Sequence, residues 1–92
     1  MINVSVTEKK NRIYISCYGH SGIKGESLQC AGASTLFAAL AVTVSDRIDY
    51  TCESGYGFIE FPATEINKAF LSVFLNGMRI LNDTFPGEFN IR

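Results

Sequence analysis

Two residue types able to do covalent chemistry stand ten positions apart near the start of a helical segment: the single histidine, His20, and Cys30. Ser27 precedes an apolar run with three- and four-residue spacing and is the expected N-cap, which puts Cys30 at the third helical position. There the unpaired amides and the dipole of the helix start favour a thiolate over a thiol. An imidazole within hydrogen-bond reach takes the thiol proton, and amides at the helix start suit an oxyanion formed in acyl transfer. These are the parts of a cysteine hydrolase. On spacing alone, a packed cysteine beside a surface histidine is the competing reading.

The elements that must position the pair follow from hydrophobic period. Residues 2–7 and 12–18 alternate, with Ile2, Val4 and Val6 and then Ile13, Ile15 and Cys17 on one face, and read as two strands. Glu8-Lys9-Lys10-Asn11 between them is short and charged, as in an antiparallel hairpin. From Gly19 to Ser27 the chain changes texture to a loop with three glycines, Gly19, Gly22 and Gly25. A helix is expected from about Leu28 to Arg47 on the recurrence of Ala31, Leu36, Phe37, Leu40, Ala41 and Val44. Its apolar residues on more than one side suggest that it is sandwiched in the core. Residues 48–53 and 56–61 form a second hairpin around Ser54-Gly55, with Gly55-Tyr56-Gly57 supplying the turn. Thr64 caps a second helix whose stripe runs Ile66, Phe70, Val73, Phe74, Gly77, Ile80 and Leu81, to about Asn82. Pro86-Gly87 breaks the chain, and Phe89 and Ile91 belong to a short last strand.

The order β-β-α-β-β-α-β predicts an α+β fold: a largely antiparallel sheet with two helices on one face. The opposite face, with Tyr14 and Tyr18, is left open, which suits either self-association or solvated tyrosines.

Composition narrows the partners. The 92 residues are 47% hydrophobic and 18% charged, the profile of one folded domain spanning 1–92 and not of a disordered chain. A formal net charge of -1 lacks the basic footprint of nucleic-acid binding. The alternating start is unlike a signal peptide, and Ala31 to Val44 is too short and too interrupted to span a bilayer, so neither membrane nor RNA is expected as a partner. Three cysteines, Cys17, Cys30 and Cys52, have no close paired spacing and suit reduced thiols in a cytoplasmic protein. A zinc site built from Cys17, His20, Cys30 and Cys52 ranks low without a Cys-x-x-Cys pair, and no cofactor is expected. Cys17 and Cys52 read instead as small buried hydrophobes.

Gly19-His20-Ser21, a glycine-bearing loop and then Cys30-Ala31-Gly32-Ala33-Ser34 resemble the signature of the ribosomal-processing cysteine proteases, the Prp family. The likeness extends over the whole chain in its order of elements. It implies a cysteine endopeptidase that removes a short N-terminal extension from a large-subunit ribosomal protein precursor, or processes a capsid or scaffold protein if prophage-encoded. It further implies His20 as general base, Cys30 as nucleophile, Ser34 as a supporting or substrate-contacting residue, and a homodimer. Ser27, Gly19 and Gly25 are supporting positions on this reading, the glycines in a loop that gates the nucleophile. The chain departs from the family pattern in a shorter loop and in carrying Ser27 where an aspartate is common. The alternative is a non-catalytic protein-binding module of the same fold.

Overall fold

The computed structural model describes residues 1–19, 27–53 and 55–92. The elements are β1 (Ile2–Lys9), β2 (Arg12–Tyr18), α1 (Leu28–Thr43), β3 (Asp49–Glu53), β4 (Tyr56–Pro62), α2 (Glu65–Thr84) and β5 (Phe89–Ile91). This is the expected β-β-α-β-β-α-β order. The sheet runs β3-β4-β2-β1-β5, antiparallel throughout except that β5 lies parallel to β1.

Register explains which side chains form the core. Val4 pairs with Cys17 and Val6 with Ile15, while Ile13 pairs with Phe61, Ile15 with Ile59 and Cys17 with Gly57. Because side chains alternate faces along a strand, all of these share one face. Val4, Ile13, Ile15, Ile59 and Phe61 are sealed there beneath Phe37 and Leu40 of α1 and Phe74 and Met78 of α2. Phe37 is the hub: its ring stacks on Tyr50 at 6.0 Å and meets Phe74 edge-on at 6.5 Å. The helices approach closely because a Cβ at Gly32 would stand 2.9 Å from Leu81, and one at Gly77 2.8 Å from Leu36.

Several expectations change in detail. The first hairpin turn is only Lys10-Asn11, both with positive φ as a two-residue type I′ turn requires, so β1 continues through Lys9. Helix α1 ends at Thr43 and not near Arg47. Val44 is extended, Asp46 has φ 59, and the Ser45 amide leaves the helix to donate to Asn67 Oδ1 at 2.8 Å. Nor is α1 sandwiched: Leu28 and Val42 are 72% and 78% exposed, since the sheet and α2 cover only one side of an alanine-rich helix that has no strong polar face. In α2 the buried side is centred on Asn67, Phe74 and Met78, and Ile66, Val73 and Ile80 fall outside it. Those three recur every seven residues, so they form their own line, turned away from the sheet.

The other sheet face is covered by neither helix. Tyr18 and Tyr56, paired across β2 and β4, are exposed there, and the Tyr18 hydroxyl accepts from Arg92 Nη2 at 3.3 Å. No helix among the described residues is long and apolar enough to cross a membrane.

Candidate active site

Cys30 owes its position to a cap. Ser27 is extended, at φ -79 and ψ 118, and its Oγ accepts from the Cys30 amide at 3.1 Å while donating to Gln29 Oε1 at 2.9 Å. Cys30 is therefore at the third helical position. Its own amide is engaged by the cap, and the helix gives the Leu28 and Gln29 amides no intrahelical acceptor. Removing the cap with Ser27→Ala is expected to cost about 1 kcal/mol. A urea melt of the variant checks this, and an unchanged midpoint contradicts it.

Cys30 opens on a cavity of about 290 Å³ at the end of the sheet where β2 and β4 meet the loops. Ala33, Ser34 and Phe37 of α1 form one wall; Cys17, Tyr18, Gly19, Gly57, Tyr56, Cys52 and Glu53 form the other. Gly57 lets the Phe37 ring pack directly onto β4 at this wall: a Cβ there would lie 2.9 Å from the ring. Gly57 thus does a different job from the one expected of it. The turn belongs to Gly55, at φ 79, and Gly57 sits within β4 beneath Phe37.

The expected site residues fall into three groups. Cys30, Ser34 and Gly19 are brought together around the cavity, and Ser27 holds the helix start behind them. Gly19 adopts φ 103, donates to the Gly55 carbonyl at 3.0 Å and lies so close to Met1 that a Cβ would run into the Met1 carbonyl oxygen. Only glycine fits this point of departure from β2. His20 and Gly25 lie outside the described residues, and so does Ser54.

Cys52 corrects the sequence reading, being exposed at the cavity rim and not in the core. It sits near the end of the edge strand β3, past Tyr50, the β3 residue on which Phe37 of α1 stacks. Cys17 is half-buried and packs against the core as expected, but it also faces the cavity. Burial, reinforced by the neighbouring Cys52 and Cys30, pushes the Cys17 thiol up from 9.0 to about 11. The folded state therefore holds this proton where the unfolded chain releases it. The stabilisation is complete below pH 9 and is lost as pH rises toward about 11. Wild type is accordingly expected to lose stability through this window more steeply than Cys17→Val, measured by denaturant melts across pH. Parallel curves contradict it. Among the described residues no group of three or more His, Cys, Asp or Glu side chains is arranged to hold a metal ion.

Sequence comparison finds no matching family model and no matching curated protein. Solved structures do match. The essential ribosomal processing protease Prp from S. aureus, in complex with a covalently linked product peptide, superposes with a TM-score of 0.82 at 17% identity, covering 100% of this chain and 98% of that one. The same protease with a substrate peptide gives 0.75 at 16% identity over the same shares of both chains. A hypothetical protein from Staphylococcus aureus gives 0.67 at 16% identity over the full length of both. From end to end, the chain has the fold of the ribosomal processing protease Prp.

Proposed function

We propose that this chain is a single-domain cysteine endopeptidase of the Prp family, with Cys30 as nucleophile and His20 as general base. The observation that carries the reading is the placement of Cys30. It stands at the capped start of α1, facing a cavity large enough for a peptide side chain, in a fold shared over its whole length with a protease solved with peptides bound. His20 follows Gly19, whose backbone already lies on the cavity wall.

In the reaction, His20 takes the thiol proton and Cys30 Sγ attacks the scissile carbonyl. The developing oxyanion falls to amides of the first helical turn, of which Leu28 and Gln29 are the spare donors. His20 returns its proton to the leaving amine, and water then releases the acyl group from sulfur. Ser34 lies one turn beyond Cys30 on the cavity wall and supports substrate there.

The substrate is a protein: the precursor of a large-subunit ribosomal protein with a short N-terminal extension, or a capsid or scaffold protein if the gene lies in a prophage. The enzyme works in the cytoplasm as a homodimer, needs no cofactor and does not bind nucleic acid directly. Incubating the protein with the precursor from the same genome, and with neighbouring capsid proteins where these exist, tests the reading by product mass. One cut that removes the extension, absent in Cys30→Ala, is expected. Intact precursor and capsid proteins would instead favour a binding module with a packed Cys30.

A further inference from the structure

The cavity does not end on the helix side of the sheet. Side chains alternate along a strand, so Cys17, Cys52 and Gly57 lie on the helix face while Tyr18, Glu53 and Tyr56 lie on the open one, and both sets line the cavity. It therefore continues round the end of the sheet. On the open face the register sets Glu53 opposite Tyr56 and Tyr56 opposite Tyr18, in a row across β3, β4 and β2. Both tyrosines are exposed, and so is Glu53. Glu53 is the one acidic or basic residue among the described lining residues, and no ion pair or hydrogen bond to a described residue holds its carboxylate. Glu60, on the same face of β4, is by contrast tied to Arg12 at 3.0 Å. At the other end of the row, Arg92 Nη2 donates to the Tyr18 hydroxyl at 3.3 Å. The row thus runs from an unpaired carboxylate at β3, past two tyrosines, to a guanidinium.

We propose that Glu53 is a specificity-determining residue: with Tyr56 it forms a subsite for a Lys or Arg side chain in the substrate segment that flanks the scissile bond. The inference rests on the peptide-cleaving reading of the cavity. A peptide held with its scissile carbonyl at Cys30 fills the helix side of the cavity, and the chain on one side of that bond leaves round the end of the sheet, over the row. The apolar stem of a basic side chain lies on the Tyr56 ring while its charged head meets the Glu53 carboxylate. Tyr18 is two strand spacings from Glu53, about 10 Å, so the Arg92 cation that reaches Tyr18 repels a basic side chain from the far end and leaves it the Glu53 end. An acidic side chain at the same substrate position faces an unpaired carboxylate and is disfavoured, so the subsite selects by rejection as well as attraction.

The test uses synthetic peptides spanning the N-terminal extension of the precursor and its junction, with Lys, Gln or Glu walked through each position in turn. Binding to Cys30→Ala is read by fluorescence anisotropy, and cleavage by wild type as kcat/KM. At one position Lys is expected to be favoured over Gln by about 5-fold, with Glu the weakest of the three. In Glu53→Gln, alone and combined with Cys30→Ala, the gap between Lys and Gln is expected to close to under about 2-fold, and Glu53→Lys is expected to reverse the order. Raising sodium chloride to about 0.5 M is expected to narrow the gap in the unaltered site, a reading that needs no variant at Glu53. Equal handling of Lys and Gln at every position, or a Lys preference that survives Glu53→Gln, overturns the subsite while leaving the protease reading in place. Peptides that are neither bound nor cut overturn the protease reading, and the subsite with it.

Discussion

Cys30→Ala is expected to lower the rate of peptide-bond cleavage by a factor of ~10³ or more while leaving the fold intact. Without sulfur there is no acyl-enzyme, and water attacking directly keeps only what binding and the helix amides supply. The thermal midpoint is expected to stay near wild type, because Cys30 is half-buried on the cavity side and the Ser27 cap uses its backbone and not its side chain. His20→Ala is expected to cost nearly as much, and the double variant little more than either alone, because nucleophile and base act as one unit. Progress curves on the precursor protein measure all three. Additive losses contradict a dyad.

The largest effect on stability is expected away from the cavity, at Asn67. It is the one polar residue fully buried among those described, and it joins three parts of the chain. Its Oδ1 accepts from the Ser45 amide at 2.8 Å, and its Nδ2 donates to the carbonyls of Ser45 at 2.9 Å and Pro62 at 3.0 Å. Its own amide donates to the capping Thr64 hydroxyl at 3.2 Å. The end of α1, the end of β4 and the start of α2 are therefore tied through one amide. Asn67→Ala leaves backbone groups at Ser45 and Pro62 without partners and opens a void. The expected cost is about 3 kcal/mol, or about 15 °C in a domain of this size. Thermal and urea melts check it, and a loss under about 1 kcal/mol would show that water replaces the amide. Activity at low temperature is expected to survive, because the cavity lies at the opposite end of the sheet.

Asn67 also shows where sequence reading stopped. Period alone identified every strand, because Ile13, Ile15 and Cys17, or Ile59 and Phe61, declare a face without reference to anything distant. The caps were equally legible, since Ser27 and Thr64 act within three residues of themselves. What depended on a distant partner was not. Nothing local tells Ser45 to leave the helix; the side chain that pulls it out is 22 residues away. Gly57 looked like part of a turn because its true neighbour, the Phe37 ring, comes from another element. Cys52 reads as buried because its alternation is local, while its place near the end of an edge strand depends on the sheet order. The cavity is the sum of these long-range facts. Of the signature residues, Cys30 stands at the third helical position, with Ser34 and Gly19 on the cavity wall beside it, while His20 lies outside the described residues.

Gly32 has a structural share in the motif. A Cβ there would press on Leu81 of α2, so the glycine of Cys-Ala-Gly-Ala-Ser seats the second helix close to the first, two residues from the nucleophile. Packing and chemistry are coupled at this point, and the orientation of α1 over the cavity depends on it.

The proposed chemistry requires Cys30 to be the reactive thiol, and the rate of alkylation of each cysteine as a function of pH measures that most directly. Cys30 is expected to react fastest, with the advantage reduced in His20→Ala, and Cys17, whose thiol burial holds protonated, last. Equal rates at Cys30 and Cys52 across the range, unaltered by His20→Ala, would contradict it.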